Sequence, residues 1–139
     1  MADAKTQPTP TSLDEFLTQS IDPARHADCR AIAAMMQAAT GHAPVMWGKI
    51  AGFGRYPYQY ASGRMGEWPV VGFAPRKSDL TLYIMPGFGG LDAQLAKLGK
   101  HKIGTSCLYI KRLEDVDIKV LKKIIDGSVK AMASERVFP

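Results

Sequence analysis

Little in this sequence points to metal or covalent chemistry. Its two cysteines, Cys29 and Cys107, lie far apart and form no C-x-x-C pair. That argues against a disulfide framework or a zinc site and predicts reduced thiols in a cytoplasmic protein. The three histidines, His26, His42 and His101, fit no metal-ligand spacing. His26 falls in a charged first turn, where solvation is expected. No G-x-x-x-x-G-K-[ST] string occurs, and "GKIAGFG" is not G-x-G-x-x-G, so its glycines read as turns. No Ser-His-Asp order or paired-carboxylate motif stands out. Cys107 beside His101 invites a thiol–base reading, but a cysteine among apolar strand neighbours is ordinarily a small core residue. The opening "MADAKTQPTPTS" lacks an apolar h-region, and no apolar run approaches the roughly 18 residues that would span a bilayer. These absences predict no metal, no cofactor and no membrane association, and they lean away from an enzyme.

What is present is an ordinary globular chain. At 139 residues it is long enough for one domain with a core that needs no staples. The net charge of +5 favours anions as partners, although many basic proteins bind no nucleic acid.

Residues 1–11, rich in Pro, Thr and Ala, read as a disordered tail, leaving 12–139 as a single domain. "SLDE" supplies a capping box, with Ser12 as N-cap and Glu15 reaching back. Asp22 and Pro23 start a second helix, on which Cys29, Ile32, Met36 and Ala39 share one face and which Gly41 closes. From Pro44 the period changes to two. Strands are expected at "VMWGK", at about 53–61, at "WPVVGFA", at "LTLYIM" and at "SCLYIK", with "SGRMGE" and "RKSD" as turns. A short helix over 91–98 ends at Gly99. A last one starts near Asp117, with Ile118, Leu121, Ile125, Val129 and Met132 on one stripe. No internal repeats occur. The pattern predicts an α+β fold, a five-stranded antiparallel sheet with helices packed on one face.

Within that sheet Leu80, Leu82, Ile84, Leu108 and Ile110 form an aliphatic face, and Tyr83 and Tyr109 fall opposite. "GRYPYQYAS" sets Tyr56, Tyr58 and Tyr60 at every second position, so the three rings leave one side of a strand. Without an aliphatic set that strand takes either face. The economical arrangement puts all five tyrosines on the helix-free side. Such a surface would stack bases, line a pocket with Trp47 as a further wall, or form a dimer contact. Arg55, Arg64 and Arg76 lie near it, but no ribonucleoprotein-type signature is present, so nucleic acid is disfavoured. The stretch "KLGKHKIG" gathers Lys97, Lys100, His101 and Lys102 at a helix end. The helix dipole alone favours cations there. Alternatively Gly99 and Gly104 let the backbone turn inward around an anion, and the balance tips to the anion site.

The segments "PVMWGKIAGFG", "WPVVGFAPRKSDLTLYIMPGF" and "LGKHKIGTSCLYIKRLEDVDIKVL" resemble, in this order, the YdhG-like family of bacterial domains of unknown function. The resemblance covers roughly 13–132. It implies a small cytoplasmic α+β domain and carries no catalytic residues across. Some relatives are described as frataxin-like iron chaperones, which implies iron handling. That chemistry uses an acidic ridge, whereas the early helices here carry Asp14, Glu15, Asp22 and Asp28 in a net basic chain. Iron handling therefore stands second to a non-enzymatic domain that binds a small anionic ligand or a partner. The residues expected to bind are Trp47, Arg55, Tyr56, Tyr58, Tyr60, Arg76, Tyr83, Lys97, Lys100, His101 and Lys102.

Overall fold

The computed structural model describes residues 9–59, 65–77 and 79–132. Helix α1 (Leu13–Ser20) begins with the capping box in place: Ser12 Oγ accepts from the Glu15 amide and Glu15 accepts from the Ser12 amide, both at 3.1 Å. Asp22 accepts from the Ala24 amide and starts a 3-10 turn, Pro23–Arg25, that runs into α2 (His26–Thr40). Gly41 ends α2 in the left-handed conformation, at φ 74°, as its position predicts. Strands β1 (Val45–Trp47), β2 (Ile50–Phe53), β3 (Tyr56–Gln59), β4 (Met65–Trp68), β5 (Val71–Pro75) and β6 (Leu80–Tyr83) follow. Then come α3 (Asp92–Leu98), β7 (Lys102–Ile103), β8 (Cys107–Ile110), a 3-10 turn at Leu113–Asp115 and α4 (Ile118–Met132). Asp117 Oδ1 accepts from the Lys119 and Val120 amides and so caps α4.

The fold is α+β with an antiparallel sheet, but the expected five strands are six. They run in the order β1-β2-β5-β6-β8-β7, and β3 and β4 pair separately as a two-stranded sheet. β2, hidden by its glycines, and the short edge strand β7, hidden in a basic loop, join the expected sheet, and the tyrosine strand leaves it. Gly52 sits mid-strand because a Cβ there would lie 2.7 Å from the Pro69 and Trp47 side chains, so its lack of one admits close packing and marks no turn. The tyrosine strand is β3, and its partner β4 begins within the expected turn "SGRMGE". Tyr56 and Tyr58 therefore lie on the separate two-stranded sheet, and Tyr83 and Tyr109 on the main one. Tyr60 and Arg64 lie outside the described residues.

Alternation along the main sheet divides its side chains as the aliphatic pattern requires. Phe53, Val71, Phe73, Leu80, Leu82, Leu108 and Ile110 join Leu17, Ile32, Met36, Leu121 and Ile125 in the main core. α2 and α4 pack on each other and on β5. Along α4 the buried Leu121, Ile124, Ile125, Ser128, Val129 and Met132 repeat at three and four residues, the stripe of a helix lying on a sheet. On the opposite face Trp47, Ile50 and Ala74 form a second, smaller cluster against which Val45, Trp68 and Tyr83 pack.

Long-range hydrogen bonds tie the helical layer to the sheet ends. Arg25 donates from Nη1 to the Arg76 carbonyl (2.5 Å) and from Nη2 to the Asp79 carbonyl (2.8 Å), gripping the β5–β6 turn. Asp28 accepts from the Leu113 amide at 3.1 Å. His26 is half-buried and not the solvated residue its neighbours suggested. Its Nε2 stands 2.9 Å from the Leu17 carbonyl and 2.8 Å from that of Ile21, so an Nε2–H satisfies the end of α1. At the opposite end Gly99, at φ 112°, lets the α3 terminus meet the strand-like segment before α4. There Gly99 bridges Val116, Lys100 N–H donates to the Asp115 carbonyl and Asp117 N–H to that of Leu98. Thr9, within the segment expected to be a tail, donates both its N–H and its hydroxyl to the Met46 carbonyl on β1.

Cys29 is fully buried, and desolvation pushes its thiol up from 9.0 to about 11, with Arg25 pulling it partly back. Between those values the folded chain keeps a proton that the unfolded chain has lost, so stability falls as pH rises from about 9 to 11. Urea midpoints at pH 8, 9 and 10 are expected to decline more steeply for the native protein than for Cys29→Ala. Equal slopes would remove the assignment. A thiol reagent at pH 8 is expected to label the half-buried Cys107 well before Cys29.

Candidate functional site on the helix-free face

The helix-free face has two unlike halves. Over β1 and β2, Trp68 packs on Trp47 with ring centroids 6.3 Å apart and planes tilted by 55°, and the Arg55 guanidinium lies 5.9 Å from the Trp47 ring centroid. Trp47 is thus only 2% exposed. It braces the face.

Over β6 and β8 the face lies open. Tyr83 pairs with Cys107 and Thr81 with Tyr109, so the two tyrosines stand diagonally across one strand pair, within reach of the same ligand. Between them and the β5–β6 turn lies a shallow depression of about 410 Å³, bordered by Arg76, Lys77, Asp79 and Thr81. Arg76 Nη2 donates to Tyr83 Oη at 2.6 Å, which fixes the phenol and brings a guanidinium to its edge. Thr81 donates its hydroxyl to Asp79 Oδ1 at 3.1 Å, engaging the one carboxylate there. Tyr109 leans toward the β7–β8 turn, where a Cβ at Gly104 would lie 3.4 Å from its hydroxyl. The Tyr109 phenol is held above the usual tyrosine value, first by its hydrogen bond with the Cys107 side chain and then by the charge Cys107 carries when ionised. At neutral pH it is a neutral hydrogen-bonding group.

Of the residues expected to bind, the structure brings Arg76 and Tyr83 together here. Lys102 is outside the lining but pairs with Tyr109 across β7–β8, so it leaves the sheet on the same side at the margin of the depression. Lys97, Lys100 and His101 do not line the depression. Lys97 lies in the last turn of α3, where the dipole favours it, and His101 Nδ1 is 2.7 Å from the Gly99 carbonyl. The inward-turning amides argued for an anion are committed elsewhere. Lys100 N–H goes to the Asp115 carbonyl and Gly104 N–H to that of Cys107. Sequence reasoning passed over Tyr109, Cys107 and Thr81 as site residues, although their alternation with Leu108 and Leu82 already placed them beside Tyr83.

Comparisons with protein-family models, with curated proteins and with solved structures return no match. The site is therefore read from its own chemistry. No three His, Cys, Asp or Glu side chains converge among the described residues, so iron handling gains no ligand set there.

Proposed function

We propose that this domain is a binding module for a small anionic ligand with a planar ring, held over β6 and β8. The observation that supports it best is the pair Tyr83–Tyr109 with Arg76 donating to the Tyr83 phenol at 2.6 Å. The phenol rings offer apolar surface to a planar group, while Arg76, Lys77 and Lys102 stand around them as counter-charge. The depression is shallow and wide, which suits reversible capture more than enclosed catalysis, and none of its groups forms a nucleophile–base pair oriented by a third residue.

Titration of labelled protein with an aromatic carboxylate such as benzoate, followed by amide chemical shifts at low salt, tests the reading. Saturable shifts are expected at Thr81, Tyr83, Cys107 and Tyr109. Lys102→Glu is expected to weaken binding about tenfold or more, the worth of one charge-assisted hydrogen bond. Lys100→Glu, on the α3 junction, is expected to leave it unchanged. Equal affinities for the two variants, or no saturable shift in the native protein, would sink the proposal.

A further inference from the structure

A second depression lies on the helical side of the same β5–β6 turn, between that turn, the end of α1 and the β1–β2 turn. Its volume is about 330 Å³. Four cationic side chains line it, Arg25, Lys49, Arg76 and Lys77, against a single carboxylate, Asp22. Asp22 already accepts from the Ala24 amide, and Arg25 directs two of its five N–H groups to the Arg76 and Asp79 carbonyls. Its remaining donors are therefore held on a guanidinium whose position is fixed at both Nη atoms. Lys49 and Lys77 make no ion pair with any described residue. The negative end of α1 opposes an anion here, an opposition the four cations outweigh, and His26 engages the Leu17 carbonyl and that of the C-cap Ile21. Phe16 and Pro75, both buried, supply an apolar wall.

We infer that this cleft is a phosphate site, one that takes a phosphomonoester group with its small organic remainder against Phe16 and Pro75. Four like charges gathered from three separated segments repel one another in the empty cleft, and a dianion relieves that repulsion. A fixed guanidinium beside mobile ammonium groups suits a tetrahedral oxyanion: the fork orients two oxygens and the lysines follow the rest. Arg76 and Lys77 border both depressions, with Arg76 Nη2 already given to the Tyr83 phenol, whereas Arg25, Lys49, Asp22 and Phe16 line this cleft alone and distinguish it from the tyrosine depression.

Inorganic phosphate is the first probe, titrated into labelled protein at constant ionic strength with chloride as the balancing anion. Saturable amide shifts are expected at residues 20–22, 49 and 76–77, and glycerol phosphate is expected to bind at least as tightly. Lys49 is exposed on a turn, so Lys49→Glu is expected to fold as the native protein does, with its melting curve in chloride as the check. Its phosphate affinity is expected to fall about tenfold or more, the scale of one lost charge-assisted contact. Lys102→Glu is expected to keep native phosphate affinity while losing the aromatic carboxylate. Phosphate shifts confined to Thr81, Cys107 and Tyr109, undiminished affinity in Lys49→Glu, or no saturable shift at all would each overturn the inference.

Discussion

Replacing Gly99 by alanine is expected to destabilise the domain by about 2–5 kcal/mol, combining backbone strain with overpacking. Gly99 has φ 112° and ψ −153°, a region open essentially to glycine alone. An added Cβ would overlap the Asp115 carbonyl oxygen and crowd Val116 Cα at 3.1 Å, both backbone atoms that no side-chain rotation can move away. Relief would require pulling the end of α3 from the start of α4. That breaks the bridge to Val116 and the hydrogen bonds from the Lys100 and Asp117 amides to the Asp115 and Leu98 carbonyls. A melting temperature lower by roughly 10 °C or more is expected for a domain of this size. A loss under about 1 kcal/mol in urea would show that the junction relaxes freely.

Phe73→Ala is expected to cost about 3–5 kcal/mol, the usual range for emptying a buried aromatic site. Phe73 is fully buried on β5, between Ala51 of β2 and Leu82 of β6 in register, with α2 and α4 packed above the strand. Neither registered neighbour is long enough to refill the space, since Ala51 is small and Leu82 already packs in the same core. A typical total stability is about 5–15 kcal/mol, so this one change removes a large part of it. Equilibrium unfolding in urea would measure the loss. A Phe73→Leu companion is expected to recover much of it, and failure to do so would point to ring geometry beyond volume.

Where the sequence spoke clearly, a single local rule governed. The capping box at Ser12, the left-handed Gly41 and the α4 stripe from Leu121 to Met132 each follow from a local pattern that tertiary structure had no reason to override, although Ile118, expected on that stripe, is exposed at the helix start. The alternation of Leu80, Leu82, Leu108 and Ile110 with Tyr83 and Tyr109 likewise divided the two faces as found. Local rules failed where distant segments decide. Gly52 reads as a turn until Pro69 and Trp47 are seen against it. Lys102 and Ile103 read as loop because a two-residue edge strand exists only through its partner β8. The tyrosine alternation identified a strand correctly but not its sheet, since period two says nothing of which strand lies alongside. The same limit hid Arg25 and Lys49, whose shared cleft arises from the β5–β6 turn folding back under α1.

The two outermost strands bear on how this protein meets copies of itself. β1 has three residues and β7 two, and Thr9 already occupies the Met46 carbonyl of β1. A neighbouring chain seeking to extend the sheet would find a template of only a few free backbone groups at either side, too short to hold a strand in register. Lys102 at one of these margins adds like-charge repulsion between two copies brought edge to edge. Extension of the six-stranded sheet by a second copy is thus disfavoured, and association through that sheet would proceed through its side-chain surfaces.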